Sequence, residues 1–321
     1  MLVVRPSSLG DVVHALPVAA DIVRAIPEAS VDWLAEEAFA PLVELNAHIH
    51  AVIPVALRRW RHHLLEASTW REMLAFRRTL RRVRYDAIID LQEQVKGATM
   101  ARLARGTVHG YDRSSIREPV STWLHGRHHG VGRELHFGER CRALVGRALG
   151  YEPRGTPDYD IVAPRATPGL LPPGRYAVVV HVTSRDDKRW PDPQWHAVIG
   201  ALERAGIDVL LPWGSAAERE RSAALARGHA RASVPPHRPL VEMATVLAHA
   251  DIVVGVDTGL VHLAAALRAP TVAIFTTTDA RLAGVSLAGP HAIDLGGNGD
   301  IPAADDVISA VGRLFAAAPR C

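Results

Sequence analysis

Short apolar runs alternate with longer segments of helical spacing along the whole chain. Continuous runs of β-branched residues predict strands buried on both faces, and apolar residues spaced three and four apart predict amphipathic helices. The predicted strands span residues 2–5, 31–34, 52–55 and 87–90 in the first half, and 177–181, 209–211, 251–256 and 271–275 in the second. The predicted helices span residues 12–26, 38–45, 70–83, 195–205, 216–227, 240–248, 259–267 and 303–317.

This alternation of strands and helices predicts an α/β protein with parallel, doubly wound sheets. Residues 163–175 contain four prolines and two glycines, a composition that is typical of a linker. We therefore predict two Rossmann-like domains, residues 1–162 and 176–321, that face each other across a cleft. Because ligands of open α/β sheets bind beyond the carboxyl ends of the strands, the loops between strands and helices should form the site.

The composition limits the class of protein. The chain has 321 residues, 48% hydrophobic and 22% charged, as expected for a globular protein of about two domains. No apolar run approaches the roughly 20 residues of a membrane-spanning helix, and the first apolar residues run into Arg5 and Pro6, unlike a secretory signal. The two cysteines, Cys141 and Cys321, allow no disulfide framework, so we expect a cytoplasmic protein.

Positive charge is concentrated in the first half of the chain. Residues 58–84 contain nine arginines but only two acidic residues, Glu66 and Glu72. The later arginines of this segment fit a solvated helix face. The earlier ones flank a tryptophan at a predicted strand end, where they could bind an anionic ligand or an acidic membrane surface. These earlier residues are Arg58, Arg59 and Arg61.

Lysine is rare in this chain. Of 37 basic residues, 35 are arginines, and the two lysines are Lys96 and Lys188. A compact and mobile ammonium group suits a tight pocket for phosphate or carboxylate better than a planar guanidinium does. Both lysines are therefore candidates for anion binding.

Two common nucleotide-binding motifs do not occur in the sequence. Neither half has G-x-G-x-x-G after its first strand, and no G-x-x-x-x-G-K-[ST] is present. This absence argues against a dinucleotide-dependent oxidoreductase and against a P-loop nucleotidase.

The loop after the first strand combines small residues with an acid. Ser7, Ser8 and Gly10 supply small residues and free backbone amides at the N-terminus of the predicted helix, where Asp11 also lies. An aspartate at this position commonly caps the helix and interacts favourably with its dipole. A catalytic role for Asp11, facing the cleft, is the second interpretation.

The loop after strand 177–181 suits a diphosphate. Thr183 and Ser184 supply two hydroxyl donors, and Lys188 supplies a mobile cation for neighbouring phosphate oxygens. Asp186 and Asp187 could suggest a metal site, but adjacent basic residues make them simpler to interpret as ion-pair partners.

The loop after strand 251–256 opens a helix towards the predicted cleft. Thr258 and Gly259 fit a close approach of phosphate to the helix N-terminus. Asp257 is better placed to orient Lys188 or to accept a hydrogen bond from a sugar hydroxyl, and His262 is either a packed core histidine or part of the site. The three loops together predict a site for a nucleotide-diphosphate sugar.

Six motifs, in order along nearly the whole chain, resemble the bacterial lipopolysaccharide heptosyltransferases of glycosyltransferase family 9. They are S-S-L-G-D-V-V-H from residue 7, I-P-V-A-L-R-R-W-R from 53, D-L-Q-x-x-V-K from 90, R-E-P from 117, T-S-R-D-D-K-R-W-P from 183 and V-D-T-G-L-V-H from 256. The resemblance implies a GT-B fold and inverting transfer of L-glycero-D-manno-heptose from ADP-heptose to the first Kdo of Kdo2-lipid A. It implies no cofactor, no metal and no nucleic-acid partner, and peripheral contact with the cytoplasmic face of the inner membrane.

The resemblance also implies residue roles. Asp11 would be the general base, and Lys188 would stabilise the departing ADP. The donor would be bound by Thr183, Ser184, Lys188, Glu218, Asp257, Thr258, Gly259 and His262. The acceptor would be bound by Ser8, Gly10, Arg58, Arg59, Arg61, Lys96 and Arg117.

The chain departs from the family pattern at a few positions. Glu93 stands where a glycine is usual, residues 276–279 read T-T-T-D where G-P-T-D is common, Arg5 replaces a lysine, and Arg238 replaces an apolar contact to adenine. Two other functions remain open at this point. One is a heptosyltransferase that adds a later heptose, and the other is an epimerising or non-catalytic sugar-nucleotide binder of the same fold.

Overall fold

The computed structural model describes residues 1–183 and 185–317. The chain divides into two compact units, one of residues Met1–Ile161 and one that begins at Val162. Ser184, which we predict to bind the donor, and Cys321 lie outside the described residues.

The first unit contains a six-stranded sheet in which all paired strands are parallel, in the order β3-β2-β1-β4-β5-β6. Its strands are β1 (Leu2–Val4), β2 (Asp32–Glu36), β3 (Ala51–Val55), β4 (Ile88–Asp90), β5 (Val108–Tyr111) and β6 (Arg127–His129). Its helices are α1 (Leu9–Ala15), α2 (Pro17–Ala25), α3 (Ala40–Val43), α4 (Leu57–Trp60), α5 (Ala67–Leu80), α6 (Val95–Leu103) and α7 (Phe137–Leu149).

The second unit contains another six-stranded parallel sheet, in the order β12-β11-β10-β7-β8-β9. Its strands are β7 (Tyr176–Val180), β8 (Asp208–Leu210), β9 (Ala232–Ser233), β10 (Ile252–Val256), β11 (Thr271–Phe275) and β12 (Ala292–Gly296). Its helices are α8 (Asp192–Arg204), α9 (Ala216–Ala226), α10 (Leu240–Ala248), α11 (Gly259–Ala266), α12 (Ala280–Ala283) and α13 (Ala304–Ala317).

Both sheets have the Rossmann strand order 3-2-1-4-5-6, counted from the first strand of each unit. The direction of winding therefore reverses between β1 and β4 in the first unit and between β7 and β10 in the second. Ligands of such sheets bind at this reversal. The prediction of two doubly wound α/β units is confirmed.

The sheet of the second unit is covered on both faces. Every residue of β7, β10 and β11 is buried, as expected for parallel strands between two helical layers. A Cβ atom on Gly255 would lie 2.7 Å from Cβ of Val180 and 2.6 Å from Cγ2 of Val261. The close approach of α11 to the sheet thus requires glycine in β10.

The structure differs from the prediction where proline and buried charge interrupt the apolar pattern. The predicted helix 12–26 is two helices, because Pro17 opens α2 and cannot continue α1. The pattern did not predict α7, in which Arg142 is buried in an ion pair with Asp21 of α2, 2.7 Å from Nε to Oδ2. Arginine in a helical pattern indicates a surface position, so the pattern gave no sign of this contact.

No helix among the described residues combines the length and apolar character needed to cross a membrane. Cys141 is buried in α7, and its burial raises the pKa of the thiol to about 11. This thiol is therefore protonated at neutral pH.

A buried histidine at the end of β7 should make stability depend on pH. His181 is fully buried with Nε2 2.8 Å from Oγ of Ser222, and burial lowers its pKa to about 4. As pH falls from about 6.5, the unfolded chain binds a proton that the folded chain rejects, so the free energy of unfolding should fall by roughly 3 kcal/mol towards pH 4. Denaturant titrations across this pH range should show a shallower loss for His181→Gln. The exposed His50→Gln should behave like the parent chain, and equal slopes in all three proteins would contradict the assignment.

Candidate active site

The loops after β1 and β4 meet at the reversal point of the first sheet. The Ser7 amide donates to Oε1 of Gln92 at 3.2 Å, and Nζ of Lys96 donates to the Ser7 hydroxyl at 3.0 Å. Arg5 also donates to the carbonyl of Leu91. The structure thus brings Lys96, at the start of α6, to the loop that precedes α1.

Asp11 lies in the first turn of α1 and caps it. Its Oδ2 accepts from the amide and the hydroxyl of Ser8, both at 2.8 Å, and its Oδ1 lies 3.0 Å from Nη2 of Arg5. Burial by itself raises the pKa of Asp11. The charge of Arg5 and the Ser8 hydrogen bonds together lower it by more, so the net pKa lies below the usual value. The side chain remains 34% exposed. Asp11 is therefore both a helix cap and an ionised carboxylate that a ligand can reach.

Asp11 opens into a cavity of about 310 Å³ in the first unit. The cavity is lined by Arg5, Asp11, Gln92, Glu93, Gln94, Arg117, Arg133, Phe137 and Arg140. Arg117 and Arg133 form no ion pair with a described residue, which leaves two guanidinium groups for an anionic ligand. The sequence predicted Arg117 here but missed Arg133, Phe137 and Arg140, because no motif marks them and α7 was not predicted.

Glu93 places a second carboxylate in this cavity. Its backbone has a φ of 60°, a left-handed conformation that favours the glycine usual in the family. Oε2 of Glu93 accepts from Nη2 of Arg140 at 3.0 Å, and the same nitrogen donates to the carbonyl of Ser115 at 2.8 Å. Burial raises the pKa of Glu93, although Arg140 and Arg5 oppose the shift. Arg140 therefore compensates for the acid that this chain has introduced.

Three predicted acceptor residues lie on or directly after the short helix α4. The Arg58 amide donates to Oε1 of the buried Glu36 at 2.9 Å, and its guanidinium lies 4.9 Å from the Phe39 ring centroid. Arg61 is exposed and donates to a neighbouring histidine. Arg59 is less available to a ligand than Arg58 and Arg61, because it pairs with Glu37 and with Glu72 on α5 at 3.1 and 2.8 Å.

Partial burial lowers the pKa of Lys96. The charge of Asp11 raises it, but Arg5 and Arg58 lower it, and the net pKa lies below the usual value. Ser8 is exposed and Gly10 is half-buried, both beside Asp11 at the start of α1. The structure thus places these predicted acceptor residues at the same end of the first sheet.

The second unit joins the loops after β7 and β10 through one carboxylate. Oδ2 of Asp257 lies 2.5 Å from Nζ of Lys188, and Oδ1 lies 3.0 Å from Nε2 of the buried His262. Burial by itself raises the pKa of Asp257. His262 and Lys188 together lower it by more, so the net pKa falls well below the usual value. Asp257 therefore orients Lys188, which was one of the two roles considered for it. His262 is buried against this pair.

The start of α11 offers further donors. The hydroxyl oxygen of Thr258 is buried and has no hydrogen-bond partner among the described residues. Gly259 is the first helical residue, where amide groups lack partners within the helix. The Thr276 hydroxyl, in the loop that departs from the family pattern, donates to the carbonyl of Asp187 at 3.0 Å and supports the loop that carries Lys188.

The remaining loop residues are held by local ion pairs. Asp186 pairs with Arg189 at 2.9 Å and Asp187 with Arg185 at 2.5 Å, which confirms their interpretation as ion-pair partners. Thr183 is half-buried before this segment. Across residues 1–183 and 185–317, no three His, Cys, Asp or Glu side chains are grouped to hold a metal ion.

Glu218 caps α9. Its Oε2 accepts from the amides of Gly214 and Ser215 at 2.7 and 3.1 Å. A separate cavity of about 260 Å³ lies in the same unit, and Arg238 and Met243 are among its lining residues. Arg238 is held by Glu242 at 3.3 Å. That Glu218 contributes to the donor site stays a prediction.

The chain has two consecutive Rossmann units and thus the GT-B fold. Many nucleotide-sugar transferases share this fold. The structure of E. coli heptosyltransferase WaaC with ADP is similar to it with a TM-score of 0.88 and 39% identity, covering 98% of this chain and 99% of that one. The structure of the same enzyme with ADP-2-deoxy-2-fluoro heptose gives a TM-score of 0.84 and 39% identity, over 97% and 98% of the two chains.

Sequence comparison gives the same result. Residues 73–292 match the model of glycosyltransferase family 9 (heptosyltransferase). Lipopolysaccharide heptosyltransferase 1 of Escherichia coli K12 is 43% identical over 286 residues, which cover 88% of this chain and 90% of that protein. The chain belongs to glycosyltransferase family 9.

Proposed function

We propose that the chain transfers L-glycero-D-manno-heptose from ADP-heptose to the first Kdo of Kdo2-lipid A, at the cytoplasmic face of the inner membrane. The observation that carries this proposal is that each unit, taken by itself, presents one part of the chemistry that the transfer requires. The first unit presents an accessible carboxylate among arginines, and the second presents an oriented lysine at a helix start.

The first unit suits an acidic sugar acceptor. Arg117 and Arg133 line the cavity with Asp11, an ionised proton acceptor, and provide cationic groups for carboxylate or phosphate. Lys96, which binds the Ser7 hydroxyl in the loop before α1, adds a third cation. An acceptor hydroxyl bound at Asp11 would transfer its proton to this carboxylate as its oxygen attacks the anomeric carbon.

The second unit suits the diphosphate of the donor. Lys188, the Thr258 hydroxyl and the first amides of α11 can all donate to phosphate oxygens. As the acceptor oxygen forms its bond, the bond from the anomeric carbon to the phosphate oxygen breaks and ADP leaves with the electron pair. Attack opposite the leaving group inverts the anomeric configuration.

We also propose that the reaction needs no metal ion. Lys188 supplies a positive charge where negative charge develops on ADP, and such fixed charges stabilise the transition state directly. The carboxylate of Asp257, the acid nearest to this position, is already engaged by Lys188 and His262.

A transfer assay with defined acceptors tests the proposal. The purified chain should add one heptose to Kdo2-lipid A in the presence of EDTA, detected as a mass gain of one heptose residue, and the new linkage should have inverted configuration by NMR. Transfer only to an acceptor that already carries heptose would instead indicate an enzyme for a later step. Conversion of ADP-heptose without transfer to either acceptor would indicate an epimerising function.

A further inference from the structure

Large apolar side chains around the start of α5 are exposed to solvent. Leu65 is fully exposed, and Leu64, Trp70 and Leu74 are each about half exposed. Nε1 of Trp70 donates to the carbonyl of Leu64 at 2.8 Å, so the loop and the helix form one continuous surface. Contiguous exposed apolar side chains of this kind mark a surface that contacts another body.

Helical spacing places arginines beside these apolar residues. The buried face of α5 carries Thr69, Phe76 and Leu80. Trp70 and Leu74, four residues apart, lie on an adjoining face, and the same spacing continues to positions 77 and 78. We call the following residues the α5 patch: Leu64, Leu65, Trp70, Arg71, Leu74, Arg77 and Arg78.

The positive charge of this segment is not neutralised within the described residues. Arg71, Arg77 and Arg78 form no ion pair there, and neither do Arg81, Arg82 and Arg84. The two acids of the segment are already engaged, because Glu72 binds Arg59 at 2.8 Å and Glu66 lies 2.6 Å from Nδ1 of His63. The α5 patch therefore has exposed apolar side chains around the start of α5 and cationic side chains further along the helix.

We propose that the α5 patch docks onto a bilayer surface rich in anionic lipids, with Leu64, Leu65 and Trp70 entering the headgroup region. Tryptophan favours this depth, and cationic side chains beside apolar ones are typical of interfacial anchors. The inference deepens the proposed function and takes its setting from it, since a lipid-linked acceptor lies at such a surface.

The arginines of the α5 patch are complementary in charge to an anionic surface and not to a neutral one.

Contacts between α4 and α5 link the α5 patch to the predicted acceptor site. Arg59 and Trp60 of α4 both bind Glu72 of α5, at 2.8 and 2.9 Å. These contacts fix the α5 patch relative to the predicted acceptor arginines on α4. A chain docked by this patch would thus hold its acceptor residues close to the lipid headgroups.

Vesicle flotation tests the docking without any substrate. The full chain should float with phosphatidylcholine vesicles that contain 30% phosphatidylglycerol and much less with pure phosphatidylcholine, and added salt should release it. Leu64→Ser with Leu65→Ser should lower the partition coefficient on the order of tenfold. Arg77→Gln with Arg78→Gln should lower it roughly 30-fold, since each arginine near an anionic surface contributes about fivefold.

Matched controls separate the patch from general charge and hydrophobicity. Ile301→Ser removes an exposed apolar side chain from the second unit, and Arg227→Gln with Arg313→Gln removes two exposed arginines there. Both controls should float like the parent chain. Fluorescence of the parent chain should be quenched by brominated lipid, and Trp70→Phe should remove most of that quenching.

Several outcomes would overturn the docking proposal. Equal flotation of the parent chain and both patch variants would do so, as would strong flotation on neutral vesicles that salt does not affect. Self-association in sedimentation velocity that the leucine substitutions abolish would assign the patch to a second copy of the chain instead. Because these experiments contain neither donor nor acceptor, failure of the proposed transfer reaction leaves their result intact, and the patch variants should retain transfer to a deacylated, water-soluble acceptor.

Discussion

Asp11→Asn should reduce the rate of heptose transfer by roughly a thousandfold, because a general base contributes about 10²- to 10⁴-fold to such reactions. Asparagine has the same shape and can still accept a hydrogen bond from the Ser8 amide, so α1 should keep its cap. What the amide cannot do is take a proton from the attacking hydroxyl. Single-turnover kinetics with saturating donor and acceptor would measure the loss at the chemical step.

ADP binding and thermal stability serve as controls for this variant. ADP affinity by calorimetry should be unchanged, because the diphosphate contacts that we propose lie in the second unit. The melting temperature should fall only moderately, because the substitution removes the ion pair with the buried Arg5 but keeps the contact with the Ser8 amide. Ordinary turnover by Asp11→Asn would refute the role of the carboxylate, whereas a loss of ADP binding would show that the substitution disturbs more than proton transfer.

Lys188→Ala should lower kcat/KM for ADP-heptose by about 10²- to 10³-fold, the range found when one charged or hydrogen-bonding group is removed from a site of developing charge. Part of this loss should appear in kcat, because the ammonium group interacts more strongly with departing ADP than with the intact donor. Among the described residues, the substitution also leaves His262 as the one side chain bound to the carboxylate of Asp257, close to the proposed position of the diphosphate. The lost ammonium group and the remaining negative charge of Asp257 should therefore both lower kcat/KM for ADP-heptose.

Arg189→Ala is the matched control for Lys188→Ala. Arg189 is adjacent, exposed and paired with Asp186, so it tests the loss of one positive charge in the same loop. Its donor kinetics should resemble those of the parent chain. Similar losses from both substitutions would mean that the loop acts through its overall charge, and that Lys188 has no specific contact with the diphosphate.

The parts of the fold that the sequence predicted are those that depend on local pattern. The runs around β7, β10 and β11 are apolar without interruption, and burial on both faces leaves them little alternative to a central strand. The loops after β1, β7 and β10 follow from these strands, because a parallel sheet presents all its carboxyl ends at one edge. Residues such as Asp11 and Lys188 could therefore be assigned to loops of one site in each unit.

The parts that the sequence did not predict depend on partners that are distant in the chain. Arg140 reaches Glu93 across 47 positions, and Arg59 is bound by Glu37 and Glu72. Neither spacing nor residue type indicates which arginine has a carboxylate partner and which remains available for a ligand. Only the packing of α7 and α5 decides this, so the sequence predicted the positive charge of the first unit but not which of its charges are available.

The short contact between Lys188 and Asp257 has a consequence for the thermodynamics of donor binding. A lysine side chain free in solvent loses considerable rotational freedom when a ligand captures it, but here the aspartate has already restricted that freedom before the ligand arrives. In the proposed reaction the diphosphate would compete with Asp257 for the same ammonium group. Mutants that remove only the carboxylate should thus bind nucleotide with a more favourable enthalpy and a less favourable entropy than the parent chain.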